Sequence, residues 1–178
     1  DMFNGCTKFN RELYNWNTSM VTDMSNMFKG ASSFDQDLNT NSQENEGTKW
    51  DTSSVSNMTS MFNGATSFNK ALKDWDTSEV KDMSHMFSGA KSFNQALNDW
   101  NTSKVTDMSY MFSGALEYVG EDDDYSWDTS SLTTTNNMFQ NCTNFKGKLL
   151  NWNASNVTDM SYMFHNCPSA RVLRVHRW

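Results

Sequence analysis

The side chains able to do covalent or metal chemistry are few and scattered. Cys6, Cys142 and Cys167 each follow a Gly or Asn, at a position held by Ala31, Ala65, Ala90 and Ala115 elsewhere. Their expected role is that of a small buried residue. Cys142 and Cys167 lie one 25-residue period apart, so a disulfide between them stays open as an alternative, with Cys6 unpaired. No C-x-x-C occurs, and zinc is not expected. His85, His165 and His176 fall at variable positions, expected to be exposed, and none is near a nucleophile motif. Neither a phosphate loop nor G-x-S-x-G is present. Acids cluster in Glu121-Asp122-Asp123-Asp124, which lacks the spaced carboxylates and the loop glycine of a calcium site. That run reads as a solvated acidic loop, where fixed general-acid geometry is not expected. We therefore assign no catalytic residue, no metal ligand and no cofactor. Sequons stand at Asn17, Asn57, Asn101, Asn141, Asn153 and Asn156, but a repeating sequence generates several of them by itself.

What would position any functional side chain is a repeat. Met-Phe pairs begin at 2, 27, 61, 86, 111, 138 and 163, and tryptophans stand at 16, 50, 75, 100, 127 and 152. Several residue types keep one phase of about 25 residues, the signature of tandem units that stack. The composition agrees. An aromatic content of 13% argues for a packed core, while a mean hydropathy of −0.74 surrounds it with polar residues. The net charge of −7 and a pI of about 4.8 disfavour nucleic acid as a partner. No apolar run is long enough to span a membrane. Asp1 falls inside a repeat and does not begin a signal peptide, so the chain is expected to be part of a longer protein or assembly.

The unit from Phe93 to Ala115 carries two periods. Phe93, Gln95 and Leu97 alternate with Asn94 and Ala96, which predicts a short strand over 93–97. Val105, Met108, Met111, Phe112 and Ala115 share one face of a helix, with Asp107 placed to cap its start and Gly114 its end. The tryptophan is followed by Asn or Asp, then Thr (Ala154 once), then Ser. This reads as a polar corner, with a ligand-binding Asp/Thr row as the alternative. The expected fold class is an α/β repeat solenoid. It is a right-handed coil of short parallel strands and short helical or 3₁₀ segments, each coil buried by its neighbours.

The motif Trp75-Asp76-Thr77-Ser78, Val80, Met83-Ser84, Met86-Phe87, Gly89-Ala90 and Phe93-Asn94-Gln95 resembles the BspA-like leucine-rich-repeat surface proteins. More narrowly, it resembles the 25-residue repeat of a domain of unknown function found in mycoplasma, lactobacillus and algal proteins. The resemblance covers residues 2 to about 167. It implies a leucine-rich-repeat-like coil and a surface-exposed adhesion or interaction module.

The domain expectation is a seven-coil solenoid over 1–167, with inserts at 39–49 and 116–126, and a divergent cap or tail over 168–178. The expected function is a non-catalytic protein- or surface-interaction module, extracellular or at the cell surface. A structural spacer inside a larger assembly is the alternative. Ice or polysaccharide binding through the row Thr18, Thr52, Thr77, Thr102 and Thr129 is a third. If the helical face packs inward, the outward positions of the strand are free for recognition. Those positions are Asn10 and Glu12, Asp35 and Asp37, Asn69 and Ala71, Asn94 and Ala96, and Lys146 and Lys148. They run from acidic to basic and would steer a charged protein or cell-surface partner.

Overall fold

The structure, a computed structural model, describes residues 1–40, 50–120, 126–149 and 152–170. The repeating apolar positions are its core. In the coil opened by Trp75, the side chains of Val80, Met83, Met86, Phe87, Ala90, Phe93 and Leu97 are all buried. No coil could bury this stripe alone. Each lies against its counterpart 25 or so residues away, as stacked repeats require. The Met-Phe phenylalanines form a column, with ring centroids 5.6 Å apart from Phe62 to Phe87, from Phe87 to Phe112 and from Phe112 to Phe139. A second column, Phe68, Phe93 and Tyr118, packs beside it, with Phe87 and Phe93 only 4.0 Å apart. Each buried Phe contributes about 1.5–3 kcal/mol of transfer free energy. Trp75, Trp100 and Trp127 are buried, and their indole N–H groups donate to the carbonyls of Leu38, Leu72 and Leu97 at 2.8–2.9 Å.

The helical expectation is overturned. Among the described residues there is no helix, and 105–115 is a succession of tight turns. The reason is visible in where the N–H groups go. Met83, His85, Phe87 and Gly89 donate to Asp107, Ser109, Met111 and Ser113 of the next coil at 2.7–3.0 Å. The alternate residues Met86, Ser88 and Ala90 donate three residues back, to Met83, His85 and Phe87. A helix would need bonds four residues back from every one of them. Two left-handed residues per coil enforce the alternation: His85 (φ 56°) with Gly89, and Tyr110 (φ 56°) with Gly114. A left-handed residue in mid-segment cannot belong to a right-handed helix. The spacing that looked helical comes from turns with a period near three. Asp107 does not cap a helix; its Oδ1 accepts the N–H of Ser109 at 2.7 Å in a side-chain-closed turn. Gly114 is left-handed as a helix stop would be, but it closes a turn.

The strand expectation fails as well. Residues 93–97 form no strand. The β-bridges seen are isolated and parallel, at Asp23–Asn57, Asn57–Asp82, Asp82–Asp107, Asp107–Thr134 and Thr134–Asp159. They fall inside the segment expected to be helical. The molecule is therefore not an α/β solenoid of helices and strands. It is a stack of turn-built coils, joined by a backbone ladder on the Met-Phe side.

Of the expected inserts, Asn39 and Thr40 are tied to the Trp75 coil through Asp74, and 41–49 lie outside the described residues. Tyr118 fills the phenylalanine position in register, stacked 4.1 Å from Phe112. The acidic run at 121–124 and the tail from 171 lie outside the described residues.

Candidate interaction surface

The face expected to carry recognition is built from the Phe-Asn-Gln segment of each coil. At 35, 69, 94 and 119 the N–H after the aromatic residue goes to a side-chain oxygen of the preceding coil, while at Lys146 it goes to the Val119 carbonyl. Oδ1 of Asn10 accepts the N–H of Asp35 at 3.0 Å, and Oδ1 of Asp35 accepts that of Asn69 at 2.9 Å. The row continues with Asn69 accepting from Asn94 at 2.9 Å and Asn94 from Val119 at 3.0 Å. Gln36 and Gln95 reinforce it by donating Nε2 to Oδ1 of Asn10 and Asn69. Asn10, Asp35, Asn69 and Asn94 are thus brought together, but not as free residues. Packing does dictate them, contrary to the sequence argument.

The remaining expected positions are less constrained. Glu12, Ala96, Lys146 and Lys148 are exposed. Asp37 is partly buried, and its Oδ1 accepts the N–H of Asn39 at 2.8 Å. Two residues missed from sequence share this face. Arg11 is exposed beside Asn10 and Glu12, and Lys70 makes an ion pair with Asp35 at 3.1 Å. Arg11, Asn10, Glu12 and Gln36 line a shallow cavity of about 450 Å³. A smaller one of about 290 Å³ lies between Asn94, Gln95 and Tyr118. The signal that could have found Arg11 and Lys70 is their position. They occupy the Gln slot of the segment, as Gln36 and Gln95 do, without being able to accept hydrogen bonds.

The polar corner is a recurring turn. Oδ1 of Asp51, Asp76 and Asp128 accepts the N–H of Ser53, Ser78 and Ser130 at 2.9 Å. These donors hold Asp51 below the usual carboxylate range, first through the Ser53 N–H. Asp128 is held down first by the Ser130 hydroxyl. The threonine row is interior. Thr52, Thr77 and Thr102 are about 1% exposed, and each hydroxyl donates to a carbonyl of the next coil at 2.9–3.0 Å. Buried in this way, the row Thr18, Thr52, Thr77, Thr102 and Thr129 offers no surface to ice or polysaccharide. A cleft of about 540 Å³ at the corner is lined by Asp51, Asp74 and Asp76 beside Trp50. All three carboxylates already accept internal hydrogen bonds, and among the described residues no three His, Cys, Asp or Glu side chains converge for a metal.

The three cysteines are free thiols. Cys142 is buried in the alanine column and donates to the Phe112 carbonyl, and Cys167 donates to that of Phe139. Burial pushes both thiols up, leaving little thiolate for chemistry. Cys6 is exposed rather than buried. His85 is half-buried rather than exposed, stacked 4.6 Å from Tyr110, and burial lowers its pKa.

Coils that repeat one sequence, and bury their core only against each other, define a tandem-repeat protein. The chain belongs to the DUF285 family, described as a Mycoplasma protein of unknown function, whose model matches residues 1–45, 39–126 and 119–172. No curated protein and no solved structure matches the chain. No helix among the described residues is long and apolar enough to cross a membrane.

Proposed function

We propose that the chain is a non-catalytic interaction module that meets a protein or cell-surface partner through its Phe-Asn-Gln face. The observation that carries this reading is the ladder itself. It fixes the backbone of that face from coil to coil, yet leaves Arg11, Glu12, Ala96, Lys146 and Lys148 projecting, with charge that changes along the stack. A rigid backbone with variable exposed side chains lowers the ordering cost of binding. The charges would steer encounter, and the on-rate would fall with salt. The resemblance to BspA-like surface proteins supports an adhesion-type role outside the cell. A spacer role in a larger assembly needs no such variable face.

The test is a photoreactive residue placed at Ala96 on this face, or at Lys29 on the Met-Phe side, with extract from the native source. The expected result is one adduct through position 96 only, lost when Lys146→Glu and Lys148→Glu are combined. An adduct through 29 alone, or one indifferent to the charge reversal, would contradict the proposal.

A further inference from the structure

Small side chains fill one column of the stack, where Ala31, Ala65, Ala90 and Ala115 are fully buried. The two coils that follow place Cys142 and Cys167 in that column. They are the only thiols at equivalent positions of consecutive coils; the neighbour of Cys6 is Ala31. Backbone bonds fix their register. The Phe139 N–H donates to the Met163 carbonyl at 2.9 Å, and the Asn141 N–H to that of His165 at 2.8 Å. The residues just before the cysteines are also joined, Nδ2 of Asn166 donating to Oδ1 of Asn141 at 2.9 Å.

Both thiols lean toward the preceding coil. The Cys142 thiol donates to the Phe112 carbonyl, and the Cys167 thiol to the Phe139 carbonyl. The Phe139 carbonyl also accepts the Cys142 N–H at 3.0 Å. One acceptor is thus shared by the Cys167 thiol and the Cys142 backbone, which sets the Cys167 sulfur against the residue it has to reach. Coils joined by backbone bonds stand roughly 4.8 Å apart. That lies inside the roughly 4.4–6.8 Å between Cα atoms that a disulfide spans. Closure needs the Cys142 sulfur to turn from the Phe112 carbonyl toward the next coil.

We infer that Cys142 and Cys167 are a redox modification site, joined by a small-molecule disulfide oxidant into a bond that staples two consecutive coils. In the first step one protein thiolate attacks the small disulfide and expels a small thiolate, leaving a mixed disulfide. In the second, the other protein thiolate attacks the protein sulfur of that bond and expels the second small thiolate. Two protein thiols are oxidised, one small disulfide is reduced, and the two protons leave on the small thiols. Burial keeps both cysteines protonated, so exchange is slow and the pair is defined by its equilibrium, not its rate. The bond closes one 25-residue period, restricting the unfolded chain and holding the two coils together. This device is independent of the Phe-Asn-Gln face.

The test equilibrates the 178-residue chain carrying Cys6→Ser with mixtures of reduced and oxidised glutathione, in native buffer and in concentrated urea. Equilibrium is approached from both directions, and products are trapped with acid and identified by mass. The expected product links the tryptic peptides Val105–Lys146 and Leu149–Arg171. Its equilibrium constant against glutathione should be at least about ten-fold larger for the folded chain than for the unfolded one. The oxidised chain should also unfold at higher urea than the reduced one, because the two measurements close a single cycle. Cys142→Ala restores the residue of the other coils and should abolish both effects, leaving Cys167 free or bound to glutathione. A folded-to-unfolded ratio of one or less would overturn the proposal, since the native geometry would then oppose the bond. Glutathione on both cysteines without a link, or an oxidised chain no more resistant to urea, would overturn it as well.

Discussion

The two halves of a coil hold their neighbours by different means. On the Met-Phe side, backbone N–H groups of Met83, His85, Phe87 and Gly89 reach backbone carbonyls. On the Phe-Asn-Gln side, the backbone N–H groups of Asn69 and Asn94 reach the side-chain oxygens of Asp35 and Asn69. A backbone ladder is indifferent to side chains, so its left-handed position can be Ser60, His85, Tyr110 or Asn137. A side-chain ladder demands Asn or Asp at one position and frees only the residues beside it. Sequence variation therefore means different things on the two sides: tolerance on the first, and a selected subset on the second.

The comparison can be broken at the shared core, with the largest effect. Phe87 stacks on Phe62, Phe93 and Phe112, so Phe87→Ala should cost about 3–5 kcal/mol in a chemical melt, and Trp100→Ala a similar amount. A loss below about 1 kcal/mol would show that the stack is not the core. Next comes the backbone side. Gly89 has a φ of 68°, and its added Cβ would meet the Gly64 backbone only at van der Waals distance, 3.7 Å. Gly89→Ala should therefore cost about 1–2 kcal/mol through backbone strain alone. On the other side, the segment 93–97 has no left-handed residue to strain. There the sensitive substitution is Asn69→Ala, expected to cost about 1 kcal/mol because the N–H of Asn94 and the amide of Gln95 lose their acceptor. Asn69→Asp keeps the acceptor, as Asp35 does one coil earlier, and should sit within a few tenths of a kcal/mol of the parent. Equal losses for Ala and Asp would remove the distinction between the two sides.

Acid provides a milder probe. The Ser25 N–H holds Asp23 below the usual carboxylate range, the Ser53 N–H does so for Asp51, and the Ser161 N–H for Asp159. A carboxyl with a depressed folded pKa stabilises the fold fully above its unfolded value of about 4. The stabilisation is lost as pH falls from there through the folded pKa. Denaturant midpoints should thus hold above about pH 5 and decline below pH 4. Asp51→Asn, which keeps the turn acceptor without titrating, should flatten part of that decline. The smallest effect belongs to the exposed Lys104–Glu79 pair at 2.6 Å, where Lys104→Ala should change stability by no more than about 0.5 kcal/mol.

The apolar pattern carried the core but not the conformation. Val105, Met108, Met111, Phe112 and Ala115 are all buried, as their spacing implies. What the spacing could not distinguish is a helix from turns of period three, since both bring i and i+3 to one side. Tyr110 and His85 hide the difference, because bulky residues in the left-handed region run against local preference and are held there by bonds to another coil. The recurring Asn at 69 and 94 was visible as a repeat, but its role was not. A side-chain oxygen replacing a backbone acceptor shows only when the neighbouring coil is in place. Which side chains of the Phe-Asn-Gln segment are bonded and which are exposed shows only through the ladder.

The central claim is that coils are joined by bonds to the next coil, alternating with bonds three residues back. Scalar couplings across hydrogen bonds, between amide nitrogen and carbonyl carbon, measure this directly. They are expected between Phe87 N and Met111 C′, between Gly89 N and Ser113 C′, and between Met86 N and Met83 C′. Couplings from Phe87, Ser88 and Gly89 to carbonyls four residues back would instead establish a helix and contradict the account.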